Sequence, residues 1–149
     1  ELRSPELSRN GLLGAVQNRL DAVERRLGIK VTVQSEWSTP LSEPTEQEIY
    51  RIIIEALNNS IKYAHATSGL ISFTVGEQGL RLLIEDNGVG FVLEQGLNSG
   101  GVGLATMRER AERVGGELVV NSDPEHGTTI EVVLPNLQMG VRAEEPENE

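Results

Sequence analysis

The sequence predicts an α/β two-layer sandwich, in which helices cover one face of a mixed, mainly antiparallel sheet. Segments with helical and strand periodicity follow one another in the order helix, strand, helix, hairpin, helix, hairpin. The chain has 149 residues, which is the length of one domain, and no internal repeat divides it. With 38% hydrophobic and 24% charged residues, its composition is that of an ordinary globular protein. We therefore expect a single core that all of these elements share.

The first helix is indicated by apolar residues at helical spacing, followed by a glycine in the position of a C-cap. These apolar residues are Leu12, Val16, Leu20, Val23 and Leu27, and the glycine is Gly28. Residues 29–35 alternate in polarity, as a half-buried strand does. We assign residues 1–44 as the lead-in helix and first strand of the domain.

A second helix is predicted over residues 46–64, after a polar link that contains two prolines. Thr45 has the properties of its N-cap, and Glu48 three residues later would complete a capping box. The apolar residues of this helix fall within one arc, which predicts the side that faces the core. They are Ile49, Ile53, Ala56, Leu57 and Ile61.

A stripe of polar residues borders this apolar arc. At helical spacing, Glu48, Glu55, Asn59 and Lys62 lie on the same side of the helix. A solvated charged face explains the charged members of the stripe. It does not explain Asn59, because an amide at the border of the core needs hydrogen-bonding partners.

The second half of the chain predicts two hairpins with a glycine-rich segment and a helix between them. A turn at Glu77-Gln78-Gly79 joins the strands of the first hairpin, and Gly115-Gly116 closes the helix. The elements are strands at residues 69–76 and 80–86, a glycine-rich stretch over 88–103, a helix at 104–114, and strands at 117–121 and 128–134.

The motif Asp86-Asn-Gly-Val-Gly-Phe91 ends the second of these strands. Leu82, Ile84 and Asp86 point to one face, so the carboxylate of Asp86 is expected to be partly buried and to need a hydrogen-bond donor. No basic residue is near in sequence, and a ligand with an exocyclic amine would supply that donor. Gly88 and Gly90 lack a Cβ atom, as is needed where something approaches the backbone closely.

Two further stretches are weak signals when each is taken alone. Gly101-Val-Gly103-Leu104 opens onto a helix, whose free N–H groups and positive end suit a phosphate, although a plain flexible loop has the same sequence. It is neither a P-loop nor a Rossmann fingerprint. Thr128 is predicted to face the core from the last strand, where threonine is also a good strand residue. The two histidines, His65 and His126, have no metal-ligand spacing.

In this order, the motifs resemble those of the Bergerat-type ATP-binding fold, over about residues 45–135. That superfamily includes sensor histidine kinases, gyrase-type ATPases, heat-shock chaperones and anti-sigma-factor kinases. The segments EALNNSIKYAHA and GVGLATMRERAERVGGEL resemble the sensor histidine kinases that are paired with helix-turn-helix response regulators. The opening LRSPELSRNGLLGAV resembles the segment that joins the dimerisation helices of that subfamily to the catalytic domain. The motifs are Glu55-x-x-x-Asn59-x-x-Lys62-Tyr63, Asp86-x-Gly88-x-Gly90, Gly101-x-Gly103-Leu104 and Gly127-Thr128.

The resemblance implies a base-binding role for the second and fourth motifs. Asp86 would accept a hydrogen bond from the adenine amino group, and Thr128 would support that contact, through water. Gly88 and Gly90 would make room for the purine and act as the hinge of a lid.

The resemblance also implies how the phosphates are held. Asn59 would ligate Mg²⁺ through its amide oxygen, and Lys62 and Tyr63 would approach the phosphates. Residues 91–103 would form a mobile ATP lid, closing over the phosphates with the backbone of Gly101, Val102, Gly103 and Leu104. Glu55 would orient or deprotonate the acceptor, or would complete the Mg²⁺ shell; we rank these roles equally. Glu55 and Lys62 are thus the predicted catalytic residues.

By this resemblance, residues 45–137 carry the ATP-binding motifs of a sensor histidine kinase catalytic domain that uses ATP and Mg²⁺. The expected partners are the dimerisation and histidine-phosphoacceptor domain of the same kinase, in a homodimer, and a response regulator. Neither His65 nor His126 lies in a dimerisation-helix motif, so little self-phosphorylation is expected. The alternatives are an anti-sigma-type serine kinase, an ATP-driven conformational switch, and a degenerate domain that binds a partner without nucleotide.

The charge and hydropathy of the chain limit which other partners are expected. The formal net charge of −10 argues against non-specific binding to nucleic acid or to an anionic membrane. The chain has no apolar run near the roughly 18 residues that a membrane helix needs, and no cysteine for disulfides or thiolate metal sites. Residues 138–149 are acidic and are expected to be disordered. We expect a cytoplasmic domain without direct membrane contact.

Overall fold

The structure is a computed structural model that describes residues 5–36, 41–62, 65–88, 103–123, 125 and 127–135. Within these residues, three helices and five strands alternate in the predicted order. The helices are α1 (Pro5–Leu27), α2 (Glu43–Lys62) and α3 (Leu104–Arg113), and the strands are β1 (Lys30–Ser35), β2 (Ser68–Gly76), β3 (Gly79–Asp86), β4 (Glu117–Asp123) and β5 (Gly127–Leu134).

The five strands form one mixed sheet in the order β1-β2-β3-β5-β4. Only β1 and β2 run parallel; the pairs β2–β3, β3–β5 and β4–β5 are antiparallel. The mainly antiparallel sheet that the sequence predicts is therefore confirmed. β3 and β5 lie in the interior of the sheet, so the end of β3 has a strand on either side.

The helices pack on one face of this sheet, as predicted. α2 contacts both α1 and α3, and all three helices contact strands. The opposite face carries polar pairs such as Arg81, which donates to the carboxylate of Glu131. Along β2 to β5 the alternating inward side chains fill the core: Ile71 and Phe73, Leu80, Leu82 and Ile84, Leu118 and Val120, and Ile130, Val132 and Leu134.

The first helix is interrupted near its start. At Gly11 the backbone has φ 72° and ψ 177°, a conformation that is almost restricted to glycine, and two helical segments meet there. Leu7, in the segment before the break, is only 1% exposed and belongs to the same core. The sequence predicted helix only from Leu12 onward. At the other end Gly28 has φ 75° and donates to the carbonyl of Glu24, which confirms it as the cap.

The start of α2 corrects the predicted cap. Ser42, not Thr45, precedes the helix: its Oγ accepts the N–H of Thr45 (3.3 Å), and its carbonyl accepts the N–H of Glu46 (2.9 Å). Pro44 falls in the first turn, where its missing N–H removes no helical hydrogen bond. Glu48 is therefore not part of a capping box. Both serine and threonine suit an N-cap, and the local sequence did not separate them.

Replacing Ser42 with alanine should lower the free energy of unfolding by about 1 kcal/mol, because it removes the N-cap acceptor of α2. The matched control is Thr45→Ala, which removes a hydroxyl from inside the first turn and should cost less. Chemical denaturation of the two variants measures the difference. A larger loss for Thr45→Ala would restore the cap that the sequence predicted.

Candidate functional site

The carboxylate of Asp86 is held from two sides at the end of β3. Its Oδ2 accepts a hydrogen bond from Ser60 Oγ on α2 (2.7 Å), and its Oδ1 accepts one from the backbone N–H of Gly88 (2.9 Å). Asp86 is partly buried, as the alternation of β3 predicted. These two donors do not use all the lone pairs of the carboxylate. The remaining lone pairs can accept a hydrogen bond from a donor on a ligand. The sequence analysis found Asp86 and Gly88 but did not find Ser60.

The neighbouring strands approach Asp86 through glycines. Asp86 pairs with Gly69 of β2 on one side and with Thr128 of β5 on the other. A Cβ atom on Gly69 would lie 2.7 Å from the carbonyl oxygen of Glu85. At Gly127, where φ is 84°, a Cβ atom would overlap the carbonyl of Asp86. Side chains at these two positions would push the strands apart at the point where Asp86 stands.

Thr128 faces the helix side of the sheet, which confirms the orientation that the sequence predicted. It is 8% exposed, and its Oγ1 lies 2.8 Å from Ser122 Oγ on β4. Since Thr128 is the β5 partner of Asp86, this pair of hydroxyls begins on the strand next to the end of β3 and extends to β4. Ser122 is a second residue of the site that the sequence analysis did not find.

Asn87 closes this end of the sheet. Its Oδ1 accepts the backbone N–H groups of Thr67 and Ser68, both at 2.9 Å, and its Nδ2 donates to Thr67 Oγ1 (3.0 Å). The amide side chain thus joins the end of β3 to the start of β2. The acid and the amide at the end of β3 have separate roles. The side chain of Asp86 is oriented toward α2, and that of Asn87 stabilises the start of β2.

The second part of the site is the start of α3. Gly103 has φ 69°, and a Cβ atom there would lie 2.8 Å from Cδ of Glu55. Among the described residues no side chain caps the helix, and its first turn contains no acid, so its N–H groups and positive end suit an anion. The structure thus brings Glu55 next to the start of α3.

An ion-pair cluster sets α3 against α2. Glu48, whose side chain is 12% exposed, accepts hydrogen bonds from Arg110 Nη1 (2.8 Å) and Arg113 Nη1 (3.3 Å). Because α2 and α3 contact each other both here and at Glu55 and Gly103, their relative offset is fixed at two points. Glu48 therefore ties α2 to α3 rather than belonging to the ligand site.

The two parts of the site, at Asp86 and at the start of α3, face the same short stretch of α2. Ser60 and Glu55 are five residues apart, which corresponds to roughly 7.5 Å along a helix axis. Asn59 lies between them in sequence and is half-buried. The arrangement offers an acceptor for a donor-bearing group at one end and an anion seat at the other, which suits a ligand with a polar ring and a phosphate chain.

Several predicted site residues lie outside the described residues. They are Tyr63, Gly90, Gly101, Val102, the side chain of Lys62, and all of the predicted lid except Gly103. Within the part of the chain that the structure describes, no three His, Cys, Asp or Glu side chains form a metal-holding cluster. No described helix is long and apolar enough to cross a membrane.

Comparison with known proteins gives a family and several relatives. Residues 45–138 match the family described as histidine kinase-, DNA gyrase B-, and HSP90-like ATPases. The chain is 32% identical over 136 residues to the oxygen sensor histidine kinase NreB of Staphylococcus carnosus. It is 33% identical over 137 residues to the sensor histidine kinase LiaS of Bacillus subtilis. These matches cover 91% and 90% of this chain but only 39% and 37% of the two relatives.

The fold also resembles that of a solved structure. The histidine kinase domain of the blue-light-activated histidine kinase from Erythrobacter litoralis EL346 superposes with a TM-score of 0.71. The match covers 87% of this chain and 68% of that chain at 23% identity. At this identity the likeness shows the fold alone, and it confirms the predicted two-layer α/β architecture.

The contact between Glu55 and Gly103 can be tested by stability measurements. Gly103→Ala introduces a Cβ atom at a positive φ, which costs about 1–2 kcal/mol of folding free energy, and it also displaces Glu55. Gly115→Ala is the matched control, because Gly115 has φ 81° but no atom within 4 Å of its Cβ position. Gly103→Ala should therefore destabilise more than Gly115→Ala in chemical denaturation.

The excess should disappear in a Glu55→Ala background, where the side chain that the added methyl group would displace is absent. An excess that persists there would mean that Glu55 does not lie against the start of α3.

Proposed function

Since the chain belongs to the family of histidine kinase-, DNA gyrase B-, and HSP90-like ATPases, we propose that it is the ATP-binding catalytic domain of a two-component sensor histidine kinase. Its task is to deliver the γ-phosphoryl group of ATP to a histidine on a dimerisation domain. The observation that carries the proposal is that a fixed carboxylate, Asp86, and the helix start at Gly103 both face one short stretch of α2, through Ser60 and Glu55.

The base is read by Asp86. The carboxylate accepts a hydrogen bond from the 6-amino group of adenine, while Ser60 and the Gly88 N–H hold it in place. Guanine offers a 6-oxo acceptor at the same point, and two facing acceptors leave a buried group unpaired at a cost of roughly 1–3 kcal/mol. Thr128 supports this contact, and Gly88 and Gly90 leave room for the purine.

The phosphates are held between α2 and the start of α3. The backbone N–H groups of Gly101 to Leu104 and the positive helix end bind phosphate oxygens, and Lys62 and Tyr63 bind the same phosphates. Mg²⁺ fits the residues present, because Asn59 and Glu55 offer hard oxygen ligands one turn apart and Mg²⁺ takes its other ligands from water and phosphate. When bound, the ion neutralises charge on the phosphate chain.

Transfer depends on bringing an acceptor in line with the γ-phosphate, since catalysis of this kind rests mainly on positioning and charge stabilisation. Glu55 stands at the start of α3, where it orients or deprotonates the acceptor or completes the Mg²⁺ shell. The two relatives NreB and LiaS are sensor histidine kinases, which favours histidine over serine as the acceptor.

The proposed partners follow from this task. They are the dimerisation and phosphoacceptor domain of the same kinase, within a homodimer, and a response regulator of the helix-turn-helix class. The domain works in the cytoplasm, where ATP is available. The net charge of −10 disfavours nucleic acid and anionic membrane as partners.

Asp86→Asn should weaken ADP and ATP equally, because the substitution changes the contact with the base and not with the phosphates. Titration calorimetry of wild type and variant, with GTP as a second ligand, measures this; GTP should bind poorly to wild type. Asn59→Ala is the control at the phosphate end and should weaken mainly the Mg²⁺-dependent part of the affinity. Unchanged ADP affinity in Asp86→Asn would remove the base contact from the proposal.

The chain alone should bind ATP without labelling itself, because neither His65 nor His126 lies in an acceptor motif. Adding the dimerisation helices of the same kinase in trans should produce label on histidine that is acid-labile and base-stable. Glu55→Ala should lower this transfer far more than it lowers ATP affinity. Stoichiometric self-labelling on serine or threonine would instead favour a serine kinase.

A further inference from the structure

Ser60 carries a buried hydroxyl beside the carboxylate that is proposed to read the base. Ser60 is 8% exposed, and its Oγ lies 2.7 Å from Asp86 Oδ2 and 3.2 Å from the carbonyl oxygen of Ala56. A hydroxyl has one proton to donate. The shorter contact, with a charged acceptor, is the stronger of the two, so the proton is directed to Asp86.

The surroundings of Ser60 and Asp86 strengthen this hydrogen bond. Ser60 and Asp86 meet beside a small, partly open pocket, whose lining is mainly apolar and includes Ile53, Leu57 and Ile84. A hydrogen bond in such low-polarity surroundings is stronger than one in water, and the loss of its donor costs more. The structure therefore supplies Asp86 with a specific donor in mainly apolar surroundings.

The two donors to Asp86 constrain it differently. Gly88 is two residues away in the chain and moves with the end of β3, so its N–H fixes Oδ1 only relative to that segment. Ser60 belongs to α2, and its hydrogen bond fixes Oδ2 relative to the core. The terminal torsion of an aspartate is broad and roughly two-fold, so a single anchored oxygen leaves the carboxylate free to turn.

We propose that Ser60 is a positioning residue for base selectivity: it holds the Asp86 carboxylate in the orientation that accepts the 6-amino group of adenine. The inference rests on the proposed function, in which Asp86 reads the base. It adds that the preference for a 6-amino purine is set by a residue of α2 that does not touch the base's amino group itself.

The test compares two ligands that differ only in the group that Asp86 reads. ADP and purine riboside 5′-diphosphate, which lacks the 6-amino group, are titrated calorimetrically into wild type and Ser60→Ala. The variant should bind ADP roughly tenfold more weakly and the purine analogue within about twofold of wild type. The ratio of the two affinities therefore falls, which a merely structural role for Ser60 would not produce.

The controls separate the hydroxyl from the fold. Ser72→Ala removes a hydroxyl from β2 away from the site and should leave the ratio unchanged. Alanine is a better helix former than serine, so α2 should persist in Ser60→Ala, and thermal melting verifies this. Should that variant not fold, Ser60→Cys keeps the volume with a weaker donor and should lower the ratio in the same direction.

Two outcomes would overturn the inference, and they differ from failure of the proposed function. If Ser60→Ala weakens the binding of both ligands equally, or weakens neither, the affinity ratio is unchanged. That result would show that Ser60 does not act through Asp86. If wild type itself binds both ligands equally, then Asp86 does not read the 6-amino group, and both the base contact and the role of Ser60 fall.

Discussion

The packing of α2 onto one face of the sheet is the constraint on which the rest of the structure depends. Ile49, Ile52 and Ile53 have no exposed surface, and burial of each such side chain contributes roughly 1.5–3 kcal/mol. The same helix carries Glu48, Glu55, Asn59 and Ser60 on its borders. Because the core fixes the rotation and the height of α2, it also fixes where each of these polar groups stands.

The two ends of the site depend on different contacts. At Asp86 the geometry comes from strand register, since Gly69 and Thr128 must lie opposite the carboxylate. At Gly103 it comes from the offset of α3 against α2, which the cluster around Glu48 holds. Only α2 is common to both ends. A change in the α3 contact can therefore alter the proposed phosphate end of the site without moving the Asp86 carboxylate.

Much of the fold could be predicted because periodicity is a local property. The alternation Leu82, Ile84, Asp86 was enough to turn the carboxylate inward, and the same reasoning oriented Thr128. The contact of Ser60 with Asp86 could not be predicted in this way, because it depends on how a helix crosses a sheet between residues 26 positions apart. One signal was present: Ser60 follows Ala56 and Leu57 at helical spacing, so a hydroxyl interrupts the apolar arc. The ion-pair cluster that ties α2 to α3 was missed for a similar reason. Glu48 and its arginines are more than 60 positions apart, and a local capping rule gave Glu48 a different partner. The roles of all the predicted site residues stay predictions, and the side chain of Lys62, Tyr63 and the lid apart from Gly103 also lie outside the described residues.

The break at Gly11 has a mechanical consequence for α1. A continuous helix is a stiff rod that passes torque along its axis through its hydrogen bonds. Here the backbone turns at Gly11, and the preceding segment is anchored through Leu7, which is buried in the domain core. Force applied to that segment therefore reaches the domain through side-chain packing, and the angle at Gly11, not helical stiffness, sets the direction in which it is felt.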